Sequence, residues 1–216
     1  QYVRIGQPES GVALMTLLTV LDILLVIVGG AGMVYQGLCI VMSLFAKPVR
    51  FPDAPMTNRY AVLISARNEE NVIGNLIDSI QAQTYPTGLI DIWLVADNCT
   101  DNTAEVVRAR GCHVIERHNL ELVGKGYALT YLLNHMLDTG AADDYEAYFV
   151  FDADNKLDKH YFEEMNKAFC SGFRILTSYR NSVNLADNWV SSGSALWFIR
   201  ESRFLSNSRK IGRASC

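Results

Sequence analysis

Between residues 11 and 46 the chain carries 36 residues whose only charged side chain is Asp22. About 20 consecutive apolar residues are enough to cross a bilayer as a helix, so this stretch has length to spare. It is too long for the apolar core of a signal peptide and lacks a strongly basic start, so it reads as a retained transmembrane segment. Gly29, Gly30 and Gly32 interrupt it and permit either one long tilted helix with a kink or two short re-entrant passes. Lys47 and Arg50 follow it, whereas Arg4 and Glu9 precede it, and this bias puts the C-terminal part in the cytosol. The expected layout is a tail at 1–10, a transmembrane segment at 11–46, a Pro-bearing linker at 47–59 and a domain from 60 to 216.

The domain is bounded by composition. Half of the 216 residues are apolar, enough for one sizeable core. The net charge of −4, with Lys and Arg scattered, supplies no basic footprint, which excludes nucleic-acid binding. Five cysteines (Cys39, Cys99, Cys112, Cys170, Cys216) with no CxxC pair indicate neither a zinc site nor a disulfide framework and fit a reducing compartment. Asn98-Cys99-Thr100 has the form of a glycosylation sequon, which has no role in a cytosolic domain. A start at Gln1 and a stop at Cys216 suggest a fragment whose catalytic domain continues further.

From Tyr60 onward, short apolar runs alternate with helix-like stretches. YAVLIS (60–65), IDIWLV (90–95), HVIER (113–117), YFVF (148–151) and RILTSY (174–179) read as strands. Helices are expected after ARNEE, with Val72, Ile73, Leu76, Ile77 and Ile80 inward, and from Thr103, with Asp101 and Asn102 as cap or turn residues. Further helices are expected with Leu129, Leu132, Leu133 and Met136, with Leu157, Tyr161, Phe162, Met165 and Phe169, and over 187–209. This alternation predicts an α/β fold, a mainly parallel sheet covered on both faces, with ligands at the C-terminal ends of its strands. Arg67, Asn68 and Glu69 follow the first strand, Asp97 and Asp101 the second, Asp152 and Asp154 the fourth, so acidic groups converge on one edge.

Competing motifs fail. Counted from Asp152, a calcium loop needs Gly at its sixth position, where Leu157 stands. VGKGYA lacks the earlier Gly of a phosphate loop, having Asn119 there, and Gly126 replaces the Ser or Thr after the Lys. ARNEE stands where a dinucleotide fold would place its Gly-rich turn. What remains is a DxD at a strand end. Mg²⁺ and Mn²⁺ prefer oxygen ligands and commonly take one or two protein carboxylates, leaving other positions to phosphate and water. Asp152 and Asp154 are expected on the same face of an extended chain, and Lys125, between glycines, as a second positive contact for a diphosphate.

Four segments in order, VLISARNEE, LVADNCTDNT, GKGYAL and FVFDADNKLD, resemble the "YNE", "DDGSTDNT", "GKGxAL" and DxD motifs of glycosyltransferase family 2. That group has the GT-A nucleotide-diphospho-sugar transferase fold and includes cellulose, chitin and hyaluronan synthases. The resemblance, over about 60–181, implies that Ala66, Arg67 and Glu69 line the nucleotide pocket and that Asp97 contacts the base. It places Asp152 near ribose and diphosphate and has Asp154 bind the metal, Mg²⁺ or Mn²⁺, with Asp152 beside it. It also implies a membrane-anchored, metal-dependent, inverting hexosyltransferase that moves a sugar from a UDP-linked donor to a glycan or lipid-linked acceptor in cell-envelope polysaccharide synthesis. Arg67 stands in place of the family's usual Tyr, and Ala96 in place of the first Asp of "DDGS". The "ED" pair carrying the general base and the "QxxRW" of processive synthases do not occur before Cys216, so the base is expected beyond it. A non-catalytic nucleotide-sugar sensor or scaffold is the alternative. A sugar-nucleotide pyrophosphorylase is disfavoured by the missing Gly-rich opening loop. Trp189, Trp197, Phe198 and Phe204 read as core-packing positions of the last helix in preference to an acceptor platform.

Overall fold

The computed structural model describes residues 9–45 and 50–178. They fall into two units, each considered by itself: the first contributes an N-terminal helix, and the second is an α/β unit spanning Arg50–Leu176. Helix α1, Glu9–Phe45, is unbroken through Gly29, Gly30 and Gly32, so the two-pass alternative is not formed. Its segment Gly11–Met42 has a mean hydropathy of 2.6 and is, among the described residues, the one helix long and apolar enough to cross a membrane. Thr16 and Thr19 return their hydroxyls to the carbonyls of Val12 and Met15, which satisfies polar groups that an apolar surrounding would leave unpaired.

In the second unit, β1 (Tyr60–Ala66), β2 (Ile90–Asp97), β3 (His113–Arg117) and β4 (Ala147–Asp152) form one sheet in the order β3-β2-β1-β4, every pairing parallel. Helices α2 (Ile73–Gln81), α3 (Thr103–Arg108), α4 (Lys125–Asp138) and α5 (Tyr161–Cys170) alternate with the strands. Parallel neighbours need crossover helices, and crossovers are right-handed. The chain steps from β1 to β2 to β3 in one direction and then returns past β1 to β4. Reversing direction sends the returning helix to the opposite face. Accordingly, Ile73, Leu76, Ile77, Ala104, Val107 and Phe162 pack with Val62, Ile64, Ile92 and Leu94 on one face. Ala128, Leu132 and Met136 of α4 pack with Ala61, Leu63, Trp93 and Val95 on the other. Each fully buried Ile or Leu in these layers contributes about 1.5–3 kcal/mol.

Three sequence expectations change. The strand expected over 174–179 is not formed at 174–178, where Ile175 is 85% exposed and no neighbouring strand is hydrogen-bonded. Residue 179, the helix over 187–209 and the Trp and Phe positions within it lie outside the described residues. Leu133 points outward, and on the α4 side of β4 Tyr148 and Val150 are exposed, so that face is open among the described residues.

A buried polar knot ties residues 55–58 to the sheet. Asn166, fully buried on α5, accepts hydrogen bonds from the Tyr60 hydroxyl (2.7 Å) and Asn58 Nδ2 (2.9 Å) and donates to the Pro55 carbonyl (3.0 Å). Burial first of all pushes the Tyr60 phenol well above its usual pKa, so at neutral pH the hydroxyl is a donor. Asn166→Leu fits the helix but removes the acceptor of the Tyr60 hydroxyl and leaves Asn58 Nδ2 only its longer contacts with the Tyr60 hydroxyl oxygen and Cys170 Sγ. We expect a loss of about 1–3 kcal/mol in a denaturant titration.

Candidate functional site

Strand order reverses between β1 and β4, and in open parallel sheets the crevice for a ligand opens at such a point, outside the carboxyl ends of the strands. Ser65, next to the end of β1, pairs with Asp152, the last residue of β4, and Ala66 pairs with Ala96, just before Asp97 ends β2. The sheet therefore brings the predicted residues Ala66, Asp97 and Asp152 to one edge, followed directly by Arg67 and Glu69 after β1 and Asp154 after β4. Inward residues alternate along each strand, so Asp97 and Asp152 share the face that α4 covers.

The first two strand ends are clasped by their own turn residues. Asn68 and Asn98, with φ of 56° and 53°, take the left-handed conformation that Asn tolerates. Asn68 Oδ1 accepts from the Thr100 amide at 2.8 Å. Thr103 Oγ1 donates to Asp101 Oδ1 (2.6 Å) and accepts from the Glu69 amide (2.9 Å), while Asp101 Oδ2 accepts from the Glu70 amide (3.1 Å). Asp101 is thus a turn residue, as its place before α3 predicts. Burial pulls its pKa up, but hydrogen bonds from Thr103 and from the amides of Glu70 and Thr103 outweigh this and hold it below the usual carboxylate value. Arg67 is exposed. Asn98 Nδ2 donates to Asp97 Oδ1 and to the Asn119 carbonyl, so the sequon asparagine is committed inside the fold.

Asp97 lies against Arg117, the last residue of β3, with Nη1 donating to Oδ1 at 2.5 Å. Both side chains are only 6% exposed. Motif reading passed over Arg117. Its position directly across from Asp97 in a parallel register was the signal that could have found it.

Lys125, the first residue of α4, forms an ion pair with Asp152, and both side chains are a little under half exposed. The ion pair thus brings a cationic side chain to the first aspartate of the DxD segment. The expected shared face of Asp152 and Asp154 is corrected: β4 ends at Asp152, whose carbonyl accepts the Asn155 amide at 3.1 Å, so Asp154 sits in a turn and strand alternation no longer sets its direction. Ala153 is buried in the core between them and anchors that turn. Asp154 is exposed and has no hydrogen-bond or ion-pair partner among the described residues. No cluster of three or more His, Cys, Asp or Glu able to hold a metal occurs among them. Two oxygen donors at a strand end nevertheless suit a hard divalent cation that completes its shell with phosphate and water.

The loop into α4 depends on Gly124, at φ 135° and ψ 156°, a region essentially reserved for glycine. Beyond its chain neighbours, a Cβ there would come no closer than 4.0 Å to a heavy atom, Tyr127 Cδ2, so the obstacle is backbone conformation, not space. Gly124→Ala is expected to cost about 1–3 kcal/mol in thermal or denaturant unfolding and to displace Lys125. A variant as stable as the parent would show that this turn relaxes freely.

Comparison with known proteins agrees with this geometry. Residues 57–214 match the family described as "Glycosyltransferase like family 2". The 4,4'-diaponeurosporenoate glycosyltransferase of Staphylococcus aureus (strain USA300) is 38% identical over 74 residues, 34% of this chain and 18% of that protein. The Beta-monoglucosyldiacylglycerol synthase of Nostoc sp. is 36% identical over 47 residues, 22% of this chain and 10% of that protein. The matches thus span under a fifth of either relative. Among solved structures, a mannosyltransferase of Pyrobaculum calidifontis, in complex with GDP-Man and Mn²⁺, superposes with a TM-score of 0.51 at 24% identity, covering 68% of this chain and 42% of that one. The likeness extends to the fold, a parallel sheet of GT-A type with flanking helices. With its four motifs on the strand ends and loops of that sheet, the chain belongs to glycosyltransferase family 2.

Proposed function

We propose that the chain forms the membrane-anchored donor side of an inverting glycosyltransferase that takes a sugar from a nucleotide diphosphate, UDP in the first instance, to a glycan or lipid-linked acceptor in the cell envelope. The observation that carries this reading is the placing of Asp97 and Asp152 on one face at the carboxyl ends of β2 and β4, either side of β1, with Lys125 of α4 paired to Asp152, in a chain of this family.

In this reading Ala66, Arg67 and Glu69 line the nucleotide pocket, and Asp97 receives the base. The diphosphate lies toward the N-terminus of α4, where free amides, the helix dipole and Lys125 all favour negative charge. Gly126, one residue into the helix, leaves room for close approach, with nothing within 4 Å of where its Cβ would be. Asp152 and Asp154 would hold Mg²⁺ or Mn²⁺. When bound, the metal supplies neutralisation of the charge that builds on the departing diphosphate. Lys125 is positioned to exchange its contact with Asp152 for a phosphate oxygen. Inversion requires attack by an acceptor hydroxyl aided by a carboxylate base, a role assigned to none of the described residues.

Helix α1 supports the anchoring: residues 23–45 carry no charge and make roughly 35 Å of helix at 1.5 Å per residue, enough for a bilayer core. The flanking Lys47 and Arg50 favour a cytosolic domain.

Calorimetry of UDP binding with and without Mn²⁺ tests the donor site. Mn²⁺ is expected to tighten binding in the parent, whereas Asp154→Ala binds equally in both conditions; an intact Mn²⁺ effect in that variant removes Asp154 from the metal site. In a sugar-transfer assay Asp152→Asn and Asp154→Asn are each expected to lose on the order of 100-fold or more, the worth of several kcal/mol of charge stabilisation. Binding of UDP-sugar without turnover by a full-length chain, extended past Cys216, favours the sensor or scaffold reading.

A further inference from the structure

The α/β unit begins at Arg50 and ends at Leu176, and its two ends lie side by side: Phe51 and Phe173 meet edge to face with ring centroids 5.5 Å apart. Phe173 is 40% exposed and Ile175 85% exposed, and the neighbouring Arg50 and Arg174 are exposed as well. Neither arginine has an ion-pair or hydrogen-bond partner among the described residues. Single exposed apolar residues are ordinary. Two aromatic rings and an isoleucine, brought together from opposite ends of a unit and flanked in sequence by two unpaired cations, form a patch that asks for a partner.

The linker before β1 is fastened to the unit. Asp53 pairs with Lys167 of α5 at 3.1 Å, the Pro55 carbonyl accepts from Asn166, Met56 packs against the larger core, and the Asn58 carbonyl accepts from the Tyr85 hydroxyl at 2.8 Å. Phe51 is six residues after Phe45, the last residue of α1, and a chain reaches at most about 3.6 Å per residue, so about 22 Å is the furthest the two can be apart. With α1 as a bilayer span, chain length alone keeps the patch near the bilayer surface. A protein partner would also cover such a patch, but this short connection favours lipid.

The chemistry suits that surface. The interfacial zone of a bilayer accepts aromatic rings, and arginine reaches phosphate oxygens with its guanidinium while its stem lies along apolar surface. The acid nearest Phe51 in sequence, Asp53, is held by Lys167. The patch is also clear of the donor crevice: α5 runs back from the end of β4 to the start of β1, where Phe169 lies against Tyr60, so its C-terminal end stands at the opposite edge of the sheet.

We infer that the paired ends of the α/β unit form a second membrane contact, with Phe51, Phe173 and Ile175 in the interfacial zone of a phospholipid bilayer and Arg50 and Arg174 on its phosphates. This rests on the reading of α1 as a membrane anchor and adds to it a surface of the α/β unit itself.

The test uses the whole chain in vesicles of equal parts phosphatidylcholine and phosphatidylglycerol, with the photoreactive benzoylphenylalanine placed at position 175 or, as a control, at position 120. Leu120 is 81% exposed and follows the carboxyl end of β3, so the probe is equally free at both positions. After illumination, mass spectrometry is expected to find lipid adducts at 175 at least about tenfold more often than at 120, because only a side chain within the interfacial zone meets lipid. Joint Arg50→Ser and Arg174→Ser substitution is expected to lower the adduct yield at 175 severalfold, with circular dichroism confirming that the variant is folded. An alkaline carbonate wash of the same vesicles reports on the anchor separately. A chain that the wash leaves in the membrane but that shows no excess of adducts at 175 overturns the inference and leaves the anchor standing, as does a folded double variant with the parental yield. A chain released by the wash overturns both.

Discussion

Strand β1 is hydrogen-bonded to β2 on one edge and β4 on the other, and its apolar side chains feed both cores. That position forces the rest of the α/β unit. A strand buried on both faces must be almost wholly apolar, as YAVLIS is, and its parallel neighbours can be reached only by crossover helices. Because crossovers share one hand, the change of direction at β1 puts α4, alone among the described helices, on its face, opposite α2, α3 and α5. The N-terminus of α4 is thereby delivered beside the end of β4. The Lys125–Asp152 contact is a result of topology before it is a matter of charge.

The strand ends then need turns that leave polar groups facing outward without leaving backbone unpaired. Two asparagines in the left-handed region and one buried threonine solve this by joining the loops after β1 and β2 to each other. Within the second loop, Asp101 is spent on structure, whereas Asp97 keeps an oxygen uncommitted among the described residues. Two aspartates four positions apart in sequence therefore have opposite fates, and the difference lies in which side chains surround them.

Much of the architecture was legible because its causes are local. Unbroken apolar runs gave β1 and β2, helical spacing gave α2, and the Asp97, Asp101 and Asp152 positions follow from where strands stop. The failures have nonlocal causes. RILTSY has strand composition, but a strand exists only with a neighbour, and none pairs with 174–178 among the described residues. Leu133 satisfies the helical period yet lies beyond the strip that the sheet covers. Asp154 was placed by strand alternation one step after the strand had turned. Arg117 and Asn166, both buried and polar, have no motif, because what defines each is a partner 20 or 108 residues away.

The two ends of the proposed donor site differ in how firmly their charges are held. Arg117 and Asp97 are out of water, and separating them would strand a buried charge at a cost of about 3–5 kcal/mol. Lys125 and Asp152 are nearly half exposed, in the range where an ion pair contributes about 0–1 kcal/mol. An arriving diphosphate and cation could displace the second pair at little cost but not the first. On the proposed reading, Asp97 would be the firmly held end of the donor site and Lys125–Asp152 the exchangeable one. Gly124, with its unusual backbone conformation, lies in the loop that Arg117 pins at Leu122 and that Lys125 terminates, so the chain between the two pairs is itself tied down at both ends.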